Sequence, residues 1–161
     1  MEHPLDRVLA ALPLEPLSVR LPLNLVELTQ KVGALAWASL GRPDVSFPQP
    51  SDSWGRALMC NRLLNITRYC CAWAGVADPV EAMREEYDRA CVLHPGMTLD
   101  SPEPTDAQRF AAVVEELGEV ARATTYDAQT DRGHAGDRDT ELIQLGALAA
   151  AWATRYTTEE S

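Results

Sequence analysis

Residues 141–153 read ELIQLGALAAAWA, and this stretch decides the fold class. Apart from Glu141 and Gln144, every residue in it is apolar or small. This is the pattern of a helix that is buried on all of its sides. Such a helix needs other elements packed around it, because no face of it favours contact with water. The stretch therefore predicts a buried helix from about Arg138 to Arg155 inside a helical bundle.

Helical periodicity continues on the N-terminal side of this stretch, and no segment shows the alternation of a strand. Two segments, Asp78-Pro79-Val80-Glu81 and Thr105-Asp106-Ala107-Gln108, have the capping residue and the later Glu or Gln that begin a helix. The polar segment 126–137 contains two glycines and predicts a mobile loop. We expect an all-α fold, a single domain over 1–161 built as an antiparallel helical bundle. Its further helices are predicted at about 5–12, 24–40, 54–74, 79–93 and 105–125.

The charge of the chain is unevenly distributed. The net charge is −10, and the excess lies entirely in residues 81–161, where 17 acidic residues accompany 7 basic ones. A surface of this sign repels nucleic acid, whose binding depends on Lys and Arg, whereas it suits divalent cations or keeps a protein in solution. No apolar run approaches the roughly 18 residues of a membrane span, and the N-terminus lacks a secretory signal. We expect no nucleic-acid partner, no membrane association and a cytoplasmic location.

Two segments carry the candidate chemistry. In the helix predicted over 105–125, Glu115, Glu116 and Glu119 lie within an arc of about 100°. Taken alone, this pattern favours the solvated face of an amphipathic helix. Glu141 shares its stripe with leucines and a tryptophan that must face the core, and an inward carboxylate needs a cation or hydrogen-bond donors. The competing interpretation of Glu141 is a first-turn residue stabilised by the helix dipole.

Together, these segments resemble the all-α nucleoside triphosphate pyrophosphohydrolases, the MazG-like superfamily. The pattern of that superfamily is EExxE, a variable gap, and then ExxD. The resemblance covers about residues 80–156 and includes the sequences around both acidic segments. It also includes an upstream lead-in, Glu86 to Arg89 followed by His94-Pro95-Gly96.

The resemblance implies a Mg²⁺-dependent enzyme that converts a nucleoside triphosphate into the monophosphate and pyrophosphate. It implies that Mg²⁺, or Mn²⁺ in its place, binds to Glu115, Glu116, Glu119 and Glu141, with Gln144 at the last ligand position. The same four glutamates are the implied catalytic residues, and the implied assembly is a homo-oligomer, either a dimer or a tetramer. Candidates for binding the phosphates are Lys31, Arg109, Arg122 and Arg138, of which Arg109 and Arg122 lie seven residues from a glutamate of the motif and therefore near the acidic face. For each of these four, an exposed charge that merely solubilises its helix is the competing interpretation.

Gln144 departs from the superfamily pattern, which has Asp at this position. A neutral amide oxygen is a poorer ligand for Mg²⁺ than a carboxylate. Three explanations remain open: a neighbour such as Asp137 or Asp139 compensates, metal binding is weaker, or catalysis has been lost. The alternative function is therefore a non-catalytic helical module for binding or assembly. A related enzymatic alternative with the same fold and pattern is phosphoribosyl-ATP pyrophosphohydrolase.

The N-terminal half resembles a degenerate copy of the acidic half. Residues 30–39 align without gaps to residues 115–124, with Gln30, Lys31 and Ala34 at the acidic positions. In this interpretation residues 23–78 repeat residues 79–157, and the helix that contains Arg62 to Gly75 replaces the helix of Glu141. The competing explanation is chance similarity between helices that are rich in Ala and Leu. If the repeat is real, one half binds metal and the other supplies structure.

Overall fold

The computed structural model describes residues 2–12, 25–40, 53–125 and 135–157. These residues form helices and no strand, so the all-α prediction is confirmed. Most helix bounds agree with the sequence prediction to within one residue. The final helix begins three residues earlier than predicted, so the last part of the predicted loop is helical, and residues 126–134 lie outside the described part. The helices are α1 (Asp6–Ala10), α2 (Leu25–Leu40), α3 (Ser53–Trp73), α4 (Pro79–Leu93), α5 (Asp106–Thr125) and α6 (Ala135–Thr157).

Both predicted capping motifs are formed. The Asp78 carboxylate accepts a hydrogen bond from the backbone N–H of Glu81 at 3.0 Å, and Pro79 occupies the first position of α4. At the start of α5, the backbone N–H of Gln108 donates to the Thr105 hydroxyl, and the Gln108 side chain accepts from the Thr105 N–H. These bonds satisfy N–H groups that have no partner inside the helix, which fixes where α4 and α5 begin.

Helix α6 is the central element of the bundle. It packs against α3, α5, α4 and α1, and its residues Leu142, Leu145 and Trp152 are fully buried. The prediction of a buried final helix is therefore confirmed. None of the described helices combines the length and the hydropathy that a membrane span requires.

Helices α3 and α5 both run antiparallel to α6. At one end, the Arg56 guanidinium near the start of α3 donates to the Arg155 carbonyl near the end of α6 at 3.4 Å. The Ser101 carbonyl just before α5 accepts hydrogen bonds from both Arg109 of α5 and Arg155 of α6. The opposite end of α3 approaches the start of α6, where Gly75 lies against Asp139. The starts of α3 and α5 thus lie beside the end of α6.

The closest approach of α3 to α6 occurs at Gly146. The Thr67 hydroxyl, which is fully buried, donates to the Gly146 carbonyl at 3.3 Å and to the Leu63 carbonyl at 3.1 Å. A Cβ atom on Gly146 would lie 3.1 Å from the Cys70 Cβ and would collide with the Met83 side chain. A side chain at this position would displace the end of the buried Met83 side chain and press on Cys70, because α3 and α4 both approach the α6 backbone closely.

This packing predicts opposite effects for two glycine-to-alanine substitutions in helices. Gly146→Ala overpacks the junction of α3, α4 and α6, and we expect it to cost roughly 1–3 kcal/mol. Gly118→Ala adds a methyl group where no atom lies within 4 Å, so the better helix propensity of alanine raises stability by roughly 0.5–1 kcal/mol. Thermal unfolding should show a lower Tm for the first variant and a higher Tm for the second. Equal Tm values for the two variants would contradict this account of the helix junction.

Candidate metal centre

Three glutamates converge between α5 and α6. One carboxylate oxygen from each of Glu116, Glu119 and Glu141 lies within 4.8 Å of the other two, and all three side chains are partly buried. Glu116 and Glu119 are three positions apart, so they project from one face of α5. Glu141 lies in the part of α6 that packs beside this face. The group therefore draws its ligands from two helices.

Glu115, the remaining glutamate of the predicted motif, lies outside this group. It is exposed on α5, and it is absent from the set of converging carboxylates. Its charge nevertheless contributes to the negative potential at Glu116. The structure thus brings together three of the four predicted glutamate ligands.

Burial and the neighbouring charges both act on the pKa of the Glu116 carboxyl. The pKa of the Glu116 carboxyl is raised from 4.5 to about 7, chiefly because the group is buried and in addition because Glu119, Glu141, Glu115 and Glu86 are negatively charged. Each cause disfavours the ionised form, because a charge loses hydration on burial and like charges repel. A bound cation would reverse the effect of the repulsion and favour ionisation.

Gln144 lies one turn beyond Glu141 and forms part of the same site. With its amide oriented to satisfy both neighbours, the nitrogen donates to Glu141 Oε2 at 2.7 Å and the oxygen accepts from Arg89 Nη2 at 3.2 Å. The side chain thus connects a glutamate of α6 to an arginine of α4. A carboxylate at this position could not donate to Glu141.

Helix α4 contributes two residues that the sequence analysis did not place in the site. Arg89 forms a two-pronged pair with Glu86, with nitrogen-to-oxygen distances of 2.6 and 2.7 Å. The charges of Glu86 and Arg89 both act on Glu116. The signal in the sequence was the lead-in around these residues, but helical periodicity alone does not show that α4 packs against α6 and brings Arg89 within electrostatic range of Glu116.

The structure gives Arg109 a different role from the predicted one. Its guanidinium is buried, donates to the carbonyls of Leu99 and Ser101, and pairs with Asp106 at 3.1 Å. These bonds satisfy a buried charge and fix the loop that precedes α5. Arg109 therefore organises this loop and is not directed at the acidic group.

The other predicted phosphate ligands are dispersed. Arg138 pairs with Asp139 at 2.7 Å at the start of α6, whereas Arg122 is exposed on α5 one turn beyond Glu119. Lys31 lines a groove between α2 and α3 that includes none of the converging glutamates. Of the two acids suggested as substitutes for the missing Asp, Asp139 is engaged with Arg138, and the side chain of Asp137 lies outside the described residues.

A cavity adjoins the acidic group between α4, α6 and the loop after α4. Glu86 and Gln144 contribute to its wall, and Gln144 is the wall residue that contacts Glu141 of the acidic group. Much of the remaining wall is apolar, with Leu99 and Leu148 among its residues. The structure thus places a charged group of carboxylates next to an apolar recess.

Comparison of the chain with models of protein families, with curated proteins and with solved structures finds no match. The resemblance to the MazG-like superfamily therefore stays a prediction that rests on the sequence motif. The geometry of the acidic group is independent of that resemblance.

The raised pKa of Glu116 predicts that the metal-free protein loses stability as pH rises. Between about pH 4.5 and 7 the folded state retains a proton that the unfolded chain has released, so the free energy of unfolding falls across this window and stays low above it. Glu116→Gln removes the ionisable group. In EDTA at pH 8, we expect this variant to be more stable than the wild type by roughly 1–3 kcal/mol, or about 3–8 °C in Tm.

The matched control is Glu85→Gln, which neutralises an exposed carboxylate on α4. This variant should keep the pH dependence of the wild-type Tm. A Glu116→Gln profile parallel to that of the wild type from pH 5 to 8 would contradict a raised pKa at Glu116.

Proposed function

We propose that this chain is a Mg²⁺-dependent nucleoside triphosphate pyrophosphohydrolase. The observation that carries the proposal is the convergence of Glu116, Glu119 and Glu141 from two helices into a partly buried group. Glutamates that only solvate a helix spread apart into water, because like charges in contact repel. Three carboxylates directed at one point instead form the oxygen-rich site that a hard divalent cation prefers.

The residue chemistry fits a Mg²⁺ ion better than a soft metal. All the candidate ligands are oxygen atoms, and no cysteine or histidine belongs to the converging group. When bound, the ion would neutralise charge on the triphosphate and lower the pKa of a water molecule. The proposed reaction adds water to the α-phosphorus and breaks its bond to the β-phosphate oxygen, which releases the nucleoside monophosphate and pyrophosphate.

Residues around the group support binding of the rest of the substrate. Arg89 lies beside the carboxylates and has a half-exposed side chain, so its guanidinium is suited to pair with phosphate oxygens. Gln144 orients both Glu141 and Arg89 through its amide. The adjoining cavity offers an apolar recess for the nucleoside, and Gln144 in its wall contacts Glu141 of the acidic group.

Gln144 also favours a second candidate, the non-catalytic binding or assembly module. In this interpretation the Gln144 amide stands where the superfamily has a metal ligand. Its hydrogen bonds to Glu141 and Arg89 then serve only to stabilise the packing of α4 against α6. The two candidates differ in what an added carboxylate does. Gln144→Asp supplies a ligand oxygen in the first case and only removes a hydrogen bond in the second.

The decisive experiment measures pyrophosphate released from each common NTP and dNTP in the presence of Mg²⁺. We expect release from at least one nucleotide, and we expect EDTA to abolish it. Glu116→Gln and Glu119→Gln should lower the rate roughly 100-fold or more, because loss of a ligand weakens metal binding and misplaces the phosphates. Gln144→Asp should raise the rate at limiting Mg²⁺, since it adds a carboxylate to the site.

Glu85→Gln again serves as the matched control and should retain the wild-type rate. Folding of each variant is checked by circular dichroism. Absence of pyrophosphate over the whole panel, with folded Gln144→Asp equally inactive, would contradict the enzymatic proposal and favour the binding module.

A further inference from the structure

Helices α2 and α3 repeat the spacing of the candidate metal centre with opposite charge. Lys31 and Ala34 on α2 are spaced like Glu116 and Glu119 on α5, and Arg62 and Asn65 on α3 are spaced like Glu141 and Gln144 on α6. Arg62 lies 79 positions before Glu141, which is also the separation of Thr67 and Gly146, the pair in contact across α3 and α6. Arg62 and Glu141 are therefore equivalent positions when α3 is aligned with α6 at the Thr67–Gly146 contact.

Burial supports this correspondence for α2. Leu28 and Leu35 flank Lys31 in the sequence and are fully buried, and their counterparts around Glu116, Val113 and Val120, are buried to the same extent. The two helices thus turn the same faces to the core. Lys31 accordingly lies in a groove between α2 and α3, whose lining residues are Glu27, Gln30, Lys31, Ala34, Arg62 and Asn65.

The groove is cationic in a chain whose net charge is −10. Lys31, the single lysine of the chain, has its ammonium 5.1 Å from the centre of the Tyr69 ring, a contact that limits where the ammonium can lie. Arg62 extends from α3 into the same groove, and Asn65 adds an amide. One carboxylate, Glu27, also lines it, so two cations face one acid.

An aromatic and apolar surface continues from the cationic end. A second groove shares Gln30, Ala34 and Arg62 with the first and extends along α2 to Trp37, with Leu58 on its far side. The Trp37 side chain is 44% exposed. Gly33 presents no side chain between the two ends, so the path along α2 is open. Cations at one end and an indole at the other match a ligand with an anionic group and a flat ring.

We propose that the groove between α2 and α3 binds the phosphate of a nucleotide-class ligand without a metal ion, with Lys31 and Arg62 on the phosphate and Trp37 against the base. The Lys31 ammonium and the Arg62 guanidinium both donate hydrogen bonds to anions. The indole face of Trp37 offers a surface on which any base can stack. Helices α5 and α6 would need a bound cation in order to bind a phosphate. Helices α2 and α3 supply the positive charge directly, through Lys31 and Arg62. The site is independent of the function proposed for the acidic group.

The single lysine allows a direct test by NMR. Reductive methylation with ¹³C-formaldehyde keeps the charge of the ammonium and labels only Lys31 and the N-terminal amine. In EDTA, adenosine monophosphate should shift the Lys31 signal in a saturable way, inorganic phosphate should shift it with weaker affinity, and adenosine should leave it unchanged. Lys31→Gln serves to assign the signal.

Variants separate the parts of the proposed site. Arg62→Gln should weaken nucleotide binding at least tenfold, whereas Glu27→Gln should tighten it because the opposing carboxylate is removed. Trp37→Leu should weaken binding of adenosine monophosphate but not of phosphate, and Glu116→Gln should change neither. No Lys31 shift with millimolar nucleotide in both the wild type and Glu27→Gln would overturn the proposal. Binding that survives Arg62→Gln unchanged, or that fails only in Glu116→Gln, would also overturn it.

Discussion

The burial of α6 on all sides is the constraint on which the rest of the structure depends. Its apolar and small residues require a neighbour on every face, and α3, α5, α4 and α1 supply those neighbours. Because Gly146 has no side chain, α3 and α4 approach the α6 backbone closely. The position of each surrounding helix is thus set by the surface that it must cover.

The burial of α6 also explains why the three carboxylates of the acidic group lie close together. Glu141 belongs to the helix that the fold buries most completely, and α5 covers that helix with the face that presents Glu116 and Glu119. Packing therefore gathers like charges where water is partly excluded, which is unfavourable in the absence of a cation. A positive charge placed among the three carboxylates would relieve this repulsion. Arg89 and the Gln144 amide offset part of the repulsion, and the proposed Mg²⁺ ion would offset the rest.

The sequence predicted the fold more fully than the site, for identifiable physical reasons. Capping motifs at Asp78 and Thr105 are local, so the starts of α4 and α5 followed directly from short segments. The role of Arg109 depends on a loop that folds back onto it, and periodicity carries no information about that contact. The participation of α4 in the acidic group depends likewise on packing between helices. The internal duplication stays a prediction, although the matching positions of α2 and α5 fit it.

The central claim is that Glu116, Glu119 and Glu141 together hold one divalent cation, and anomalous diffraction from crystals soaked in Mn²⁺ tests it most directly. Mn²⁺ scatters anomalously and accepts the same oxygen ligands as Mg²⁺. The account predicts an anomalous peak between α5 and α6 with carboxylate oxygens of all three glutamates within about 2.5 Å of it. A peak elsewhere on the acidic surface, or no peak between these helices at saturating Mn²⁺, would contradict the account.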